Sequence, residues 1–266
     1  MNNSEAAAQW QALASRENHE KYKTFVSIKS KEAQEKRAIL VSWIYQIIDL
    51  YDLERSLVSF TFWYFDRVVN LCSDLADFKS MQLVVMTCLF VAVKIHGTRT
   101  TPLSASRLAR LSKGQFMKKQ ILGMEKRLIN ILSWYLNPPV PILFLETARY
   151  FLYKMRNLTV TKKDSIYNLA VYLIELSAYD HFFVAKRPSA IAAAALQVGL
   201  EVSGCNLLLQ IHLEPEAKNM TSSCVSRMRK LHLSSNFDTK AGNTEASRCL
   251  DSSPLDITPM HKTSPE

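Results

Sequence analysis

Glycine is scarce. The chain holds six in 266 residues, and neither GxGxxG nor GxxxxGK[ST] occurs, which argues against a loop that cradles nucleotide phosphates on backbone amides. Cysteine is sparse as well. Cys72, Cys88, Cys205, Cys224 and Cys249 are odd in number, scattered and without a CxxC pair. That pattern argues against a zinc site and a disulfide framework and favours a reducing compartment, nucleus or cytoplasm. Residues 1–15 mix Asn, Glu and Gln with alanine and lack a long apolar run, so no secretory signal is expected. Strand-like alternation is nearly absent. His19, His96, His181, His212, His232 and His261 form no motif with a neighbouring Cys, Asp or Glu, and each is read as structural or solvated. No nucleophile–base pair is apparent, and neither a metal nor a cofactor is implied.

What is present is apolar and basic. Hydrophobic residues make up 48% of the chain and charged residues 21%, enough to bury a sizeable core in one or two domains. The net charge is +9. Residues 234–266 hold three basic and five acidic side chains, so the remainder carries +11. A basic body suits an acidic partner surface or nucleic acid. The run of Lys118, Lys119, Lys126 and Arg127 reads first as a solvated helix face.

Helical spacing dominates. Residues 5–28 read as one or two polar helical pieces, and from Arg37 onward Ile39, Leu40, Trp43, Ile44, Ile47 and Ile48 fall on one helical face. Asp52 is expected to cap a second helix carrying Leu57, Phe60, Phe62, Trp63, Phe65 and Val68. Residues 83–93 are apolar on every face, Thr87 being their one hydroxyl. This run is too short for a bilayer, which takes about 20 apolar residues, so it predicts a central core helix. Helices over 103–111 and 115–132 follow, until Asn137-Pro-Pro-Val-Pro141 halts the pattern.

The order then repeats: helices are expected over 142–155, 163–178, 188–202 and 216–231, with an uncertain one near 205–212. Aligning the two halves on their first, central and last helices gives offsets of 104, 107 and 101 residues, as for a duplicated five-helix unit. The domain reading is an N-terminal helical segment (1–35), a first unit (36–136), a shorter second unit (141–233) and a tail (234–266). Few large apolar residues lie in that tail, so it is expected to be disordered. Its Ser253-Pro, Thr258-Pro and Ser264-Pro pairs are candidate phosphorylation sites, although any polar tail produces such pairs by chance.

Six strings resemble those of the cyclin family. Lys36-Arg-Ala-Ile-Leu-Val-Ser-Trp43 is similar to MRAILVDW, and Tyr64-Phe-Asp-Arg67 to YIDRF. Lys79-Ser-Met-Gln-Leu83 through Ala92-Val-Lys94 resembles a K-L-Q-L…A-S-K helix, and Lys118-Lys-Gln-Ile-Leu-Gly-Met-Glu125 resembles KKQVLRME. Glu175-Leu-Ser177 and Pro188-Ser-Ala-Ile-Ala192 resemble G-E-L-S and L-P-S-V-I-A. They lie between Lys36 and Ala192 in the family's order and spacing, and the resemblance spans about residues 16–231.

The resemblance implies an all-α protein of two tandem five-helix cyclin folds whose first copy binds a cyclin-dependent kinase. Lys94 and Glu125 match the charged pair that holds the kinase, and Ile95, Ile129, Trp134 and Leu136 match the apolar remainder of that surface. Ile39, Leu40, Trp43, Gln46 and Gln82 match a groove that docks Arg-x-Leu segments of substrates and inhibitors. Lys36 replaces methionine there, and Gln46 replaces an acid, which should weaken basic ligands. Ile-His-Gly after Lys94 also departs from the family's aromatic-Glu-Glu, and no LxCxE string occurs. Arg37 and Asp66, each flanked by large apolar residues, are expected to pair, because neither charge is tolerated alone in a core. No membrane partner is implied. The competing readings are a nucleic-acid-binding initiation factor with paired cyclin folds and an inert helical scaffold.

Overall fold

The computed structural model describes residues 3–22, 31–75, 77–98, 103–205 and 215–240. Among them the regular structure is helical: α1 (Asn3–Asn18), α2 (Lys31–Leu50), α3 (Leu57–Leu71), α4 (Phe78–His96), α5 (Ala105–Leu111), α6 (Lys118–Ile131), α7 (Pro141–Lys154), α8 (Val160–Tyr179), α9 (Pro188–Val202) and α10 (Pro215–Lys240), with short 3-10 turns between.

Local chemistry sets most helix ends. Asp77, Ser104 and Thr159 each accept a hydrogen bond from a backbone N–H in the first turn of α4, α5 and α8. Proline opens α7 and α9, where the missing N–H costs nothing. Asp52 does not cap α3, contrary to expectation. It ends α2 instead: its φ is 50°, its N–H donates to the Asp49 carbonyl and that of Leu53 to the Ile48 carbonyl. Aspartate tolerates this left-handed position better than most residues.

Two central helices organise the molecule. α4 packs against α2, α3 and α6, and α9 packs against α7, α8 and α10, so the duplicated order becomes duplicated wiring. α4 is long and apolar enough to cross a membrane by length and composition, but neighbouring helices bury most of it. In α9 the small residues have a visible purpose. A Cβ on Gly199 would stand 2.9 Å from the Ile166 carbonyl oxygen, so only glycine lets α8 and α9 come this close.

α1 packs on α7 of the second unit rather than on the first. Trp10 meets Phe144 edge-on at 5.0 Å, and Glu17 accepts hydrogen bonds from the N–H (2.8 Å) and hydroxyl (2.7 Å) of Ser189 at the start of α9. Burial raises the Glu17 pKa from its ordinary value, and the Ser189 bonds only partly offset this. At the C-terminus the backbone stays helical to Lys240, past the expected end at Leu231. A helix already nucleated and packed extends through polar residues at little cost. The uncertain helix near 205–212 lies mainly outside the described residues, as do Ser253, Thr258 and Ser264.

Candidate functional site

The C-terminal end of α4 meets α6 at a charged contact. Lys94 Nζ donates to Glu125 Oε1 at 2.5 Å and lies 4.9 Å from the centre of the Phe90 ring. Lys94 is about half exposed and Glu125 largely covered, so the carboxylate holds the ammonium at the surface with other donors free. Ile95, next to Lys94 in the chain, is 44% exposed, and Trp134, in the turn after α6, is 73% exposed. Ile129 and Leu136 are half-buried.

Trp134 is held out by the way α6 stops. Ser133 and Trp134 have φ of 50° and 64°. The Trp134 N–H donates to the Ile129 carbonyl and the Ser133 N–H to the Asn130 carbonyl, a helix stop that usually employs glycine. Departing from glycine here costs about 1 kcal/mol or more.

His96 has a structural place in this region. Its Nε2 lies 3.0 Å from both the Leu136 carbonyl oxygen and the Tyr64 hydroxyl, and Tyr64 donates to the same carbonyl at 2.5 Å. The imidazole also stacks on Phe60 at 3.7 Å. Three elements, α3, α4 and the segment after α6, are thereby tied behind Lys94, Ile95 and Trp134. Burial lowers the His96 pKa, against a smaller upward effect of the Leu136 bond. Gly97 then ends α4 where a Cβ would fall 2.5 Å from the Val93 carbonyl oxygen. The Ile-His-Gly sequence is therefore a local anchor as well as a departure.

The groove expected on α2 needs correction. Leu40 is 0% and Trp43 1% exposed, and Gln82 is buried, its side-chain carbonyl accepting from Gln115 Nε2 at 2.8 Å. Ile39 and Gln46 are half-buried. α2 packs against α8 of the second unit as well as α3 and α4, so more than one stripe of it is covered. The Trp43 indole N–H has no hydrogen-bond partner among the described residues.

Arg37 and Asp66 come together in the core. Nε and Nη2 of Arg37 donate to the two Asp66 oxygens at 2.7 and 2.8 Å, while Nη1 donates to the Ala178 carbonyl at 2.5 Å. The guanidinium also lies 4.9 Å from the Phe62 ring centre. One side chain thus joins α2, α3 and α8. A second link across the units, unseen in the sequence, runs from Arg55 to Glu175 at 3.0 Å.

Among the described residues no group of His, Cys, Asp or Glu is arranged to hold a metal ion. Cys72, Cys88, Cys205 and Cys224 are free thiols.

Comparison with known proteins agrees with this architecture. Residues 8–137 match the model of the cyclin N-terminal domain and residues 139–247 that of the cyclin C-terminal domain. The chain is 32% identical over 160 residues to the G2/mitotic-specific cyclin-B2 of Oryzias luzonensis, covering 60% of this chain and 38% of that one. It is 31% identical over 171 residues to the G1/S-specific cyclin-D1 of Xenopus laevis, covering 64% and 55%. It thus spans less than two thirds of the length of these relatives. The X-ray structure of a viral cyclin from herpesvirus saimiri superposes with a TM-score of 0.64 at 19% identity, over 84% of this chain and 95% of that one. With both domain models matched in tandem over most of its length, the chain belongs to the cyclin family.

Proposed function

We propose that this protein is the regulatory subunit of a cyclin-dependent Ser/Thr kinase, which it binds, activates and helps direct to substrates in cell-cycle control. The observation that carries the reading is the Lys94–Glu125 pair at 2.5 Å, on a chain that also leaves Ile95 and Trp134 exposed. An exposed ion pair by itself contributes at most about 1 kcal/mol to stability. Its value lies in oriented donors and acceptors that can bond backbone groups of a partner segment, with apolar neighbours to supply area.

The phosphoryl-transfer chemistry belongs to the kinase. A kinase is active when its β3 lysine pairs with a glutamate of its αC helix. A subunit that binds only this arrangement raises its population by the difference in affinity for the two states. Ile129 and Leu136, half-buried, would complete the contact as the kinase covers them. Segments of the Arg-x-Leu type are proposed as weak partners at most, since Leu40 and Trp43 are enclosed and Lys36 adds a like charge.

The test is reconstitution with a panel of cyclin-dependent kinases. Lys94→Ala with Glu125→Ala should keep its helicity and lose kinase activation. Undiminished activation by the folded double variant would refute the assignment. Binding that collapses between about 50 and 200 mM salt would instead indicate a nucleic-acid-type contact.

A further inference from the structure

Between Asp77 and Glu125 the sequence contains no acidic residue. In the structure this stretch leaves Arg110 and Lys113 exposed on α5 and the turn after it, and Lys118 and Lys119 exposed at the start of α6, with Arg107 half-buried beside them. Lys126 continues the band, two helical turns beyond Lys119. None of these six cations forms an ion pair among the described residues, although the acids nearby are engaged. Asp74 holds Arg127 at 2.7 Å, Glu125 holds Lys94 at 2.5 Å, and Asp77 caps α4. Two large apolar side chains stand exposed within the band, Met117 (65%) and Leu122 (41%).

The position of the band matters. α4 and α6 run side by side in the same direction, because Gln82 bonds Gln115 at one end and Lys94 bonds Glu125 at the other. Twelve helical residues separate Gln82 from Lys94, about 18 Å at 1.5 Å per residue. The basic turn at 113–115 therefore lies at the far end of α4 from Lys94, and the band runs from it along α6 to Lys126, next to Glu125.

We propose that this band is a docking surface for an Asp/Glu-rich protein segment carrying an apolar residue, as a substrate of the bound kinase would present it. The inference extends the kinase-regulator reading by naming a substrate class opposite in charge to Arg-x-Leu segments. Interleaved Met117 and Leu122 favour a polypeptide over nucleic acid, whose phosphates make no use of exposed apolar side chains. Unpaired cations give such a surface its on-rate and its discrimination against basic segments.

The test uses the full chain without kinase, so that its failure and that of the kinase reading are distinguishable. A fluorescein-labelled peptide of Asp and Glu around one leucine is titrated by anisotropy against wild type and two triple variants. Arg110→Glu with Lys113→Glu and Lys119→Glu should weaken binding by about tenfold or more. Arg156→Glu with Lys162→Glu and Lys218→Glu, which removes the same charge from the second unit, should change it by less than about twofold. If the first triple loses helicity, the Gln versions at the same positions replace it. Equal loss in both triples would reduce the effect to net charge and overturn the proposal, as would no measurable binding to wild type. Tighter binding of a short DNA duplex, lost with the same residues, would overturn it in favour of nucleic acid. A serine-phosphorylated peptide that binds where the Asp/Glu peptide does not would overturn it likewise.

Discussion

His96 Nε2 stands 3.0 Å from the carbonyl oxygen of Leu136, tying the end of α4 to the segment that follows α6. The bond is made by a neutral imidazole whose pKa burial holds below the usual histidine value. The unfolded chain takes up a proton near pH 6.5, which the folded chain resists. This group's contribution to stability is thus complete above that pH and is lost as pH falls toward the folded pKa. Between about pH 7 and pH 5.5 the urea midpoint of wild type should therefore drop more than that of His96→Gln. His181, whose pKa is also lowered, contributes equally to both proteins and cancels. Parallel pH profiles would mean that His96 does not titrate across this window.

The Arg37–Asp66 pair should behave as one unit. Asp66→Ala strands a buried guanidinium, and Arg37→Ala strands both the carboxylate and the Ala178 carbonyl. Either change is expected to cost about 3–5 kcal/mol, a large part of a total near 5–15 kcal/mol. The double variant should cost clearly less than the sum. Urea unfolding of the three proteins checks this, and additive losses would show that the residues do not interact.

Ile39 and Leu40 are adjacent in sequence but not in environment. Leu40→Ala removes a fully enclosed side chain and should lose about 2–5 kcal/mol of stability. Ile39→Ala, at a half-buried position, should cost about 1 kcal/mol or less. Titrating wild type with an Arg-x-Leu peptide completes the comparison. Tight, saturable binding would show that the α2 surface opens after all.

Glu17→Ala is expected to release α1. The change leaves the buried Ser189 N–H without its acceptor, at about 1–3 kcal/mol. An isolated helix of this length is marginal in water. Hydrogen exchange should show faster exchange throughout α1 and at Ser189, with α4 still protected. Unchanged protection in α1 would mean that Trp10 against Phe144 suffices to hold it.

Helix order, the two enclosed central helices and the repeated arrangement follow from the sequence alone, because the 3.6-residue apolar period and proline or polar stops act within a turn or two of chain. Arg37 and Asp66 could be singled out for a related reason, as charges among large apolar residues that require a partner, whereas Lys94 and Glu125 were legible only through their match to the family's strings. The sequence could not say how much of α2 is covered. Periodicity reveals that one face is apolar, whereas α2 also packs against α8, more than a hundred residues away in the chain. Only tertiary structure placed Glu17 over Ser189, linked Arg55 to Glu175 and drew His96 to Leu136. Each joins groups whose local sequences carry no trace of the other, since such contacts come from how whole helices pack. Asp52 illustrates the same limit at short range. Its side chain suits a cap, but the backbone of the preceding helix claimed it first, in the left-handed turn that lets α2 end and α3 begin.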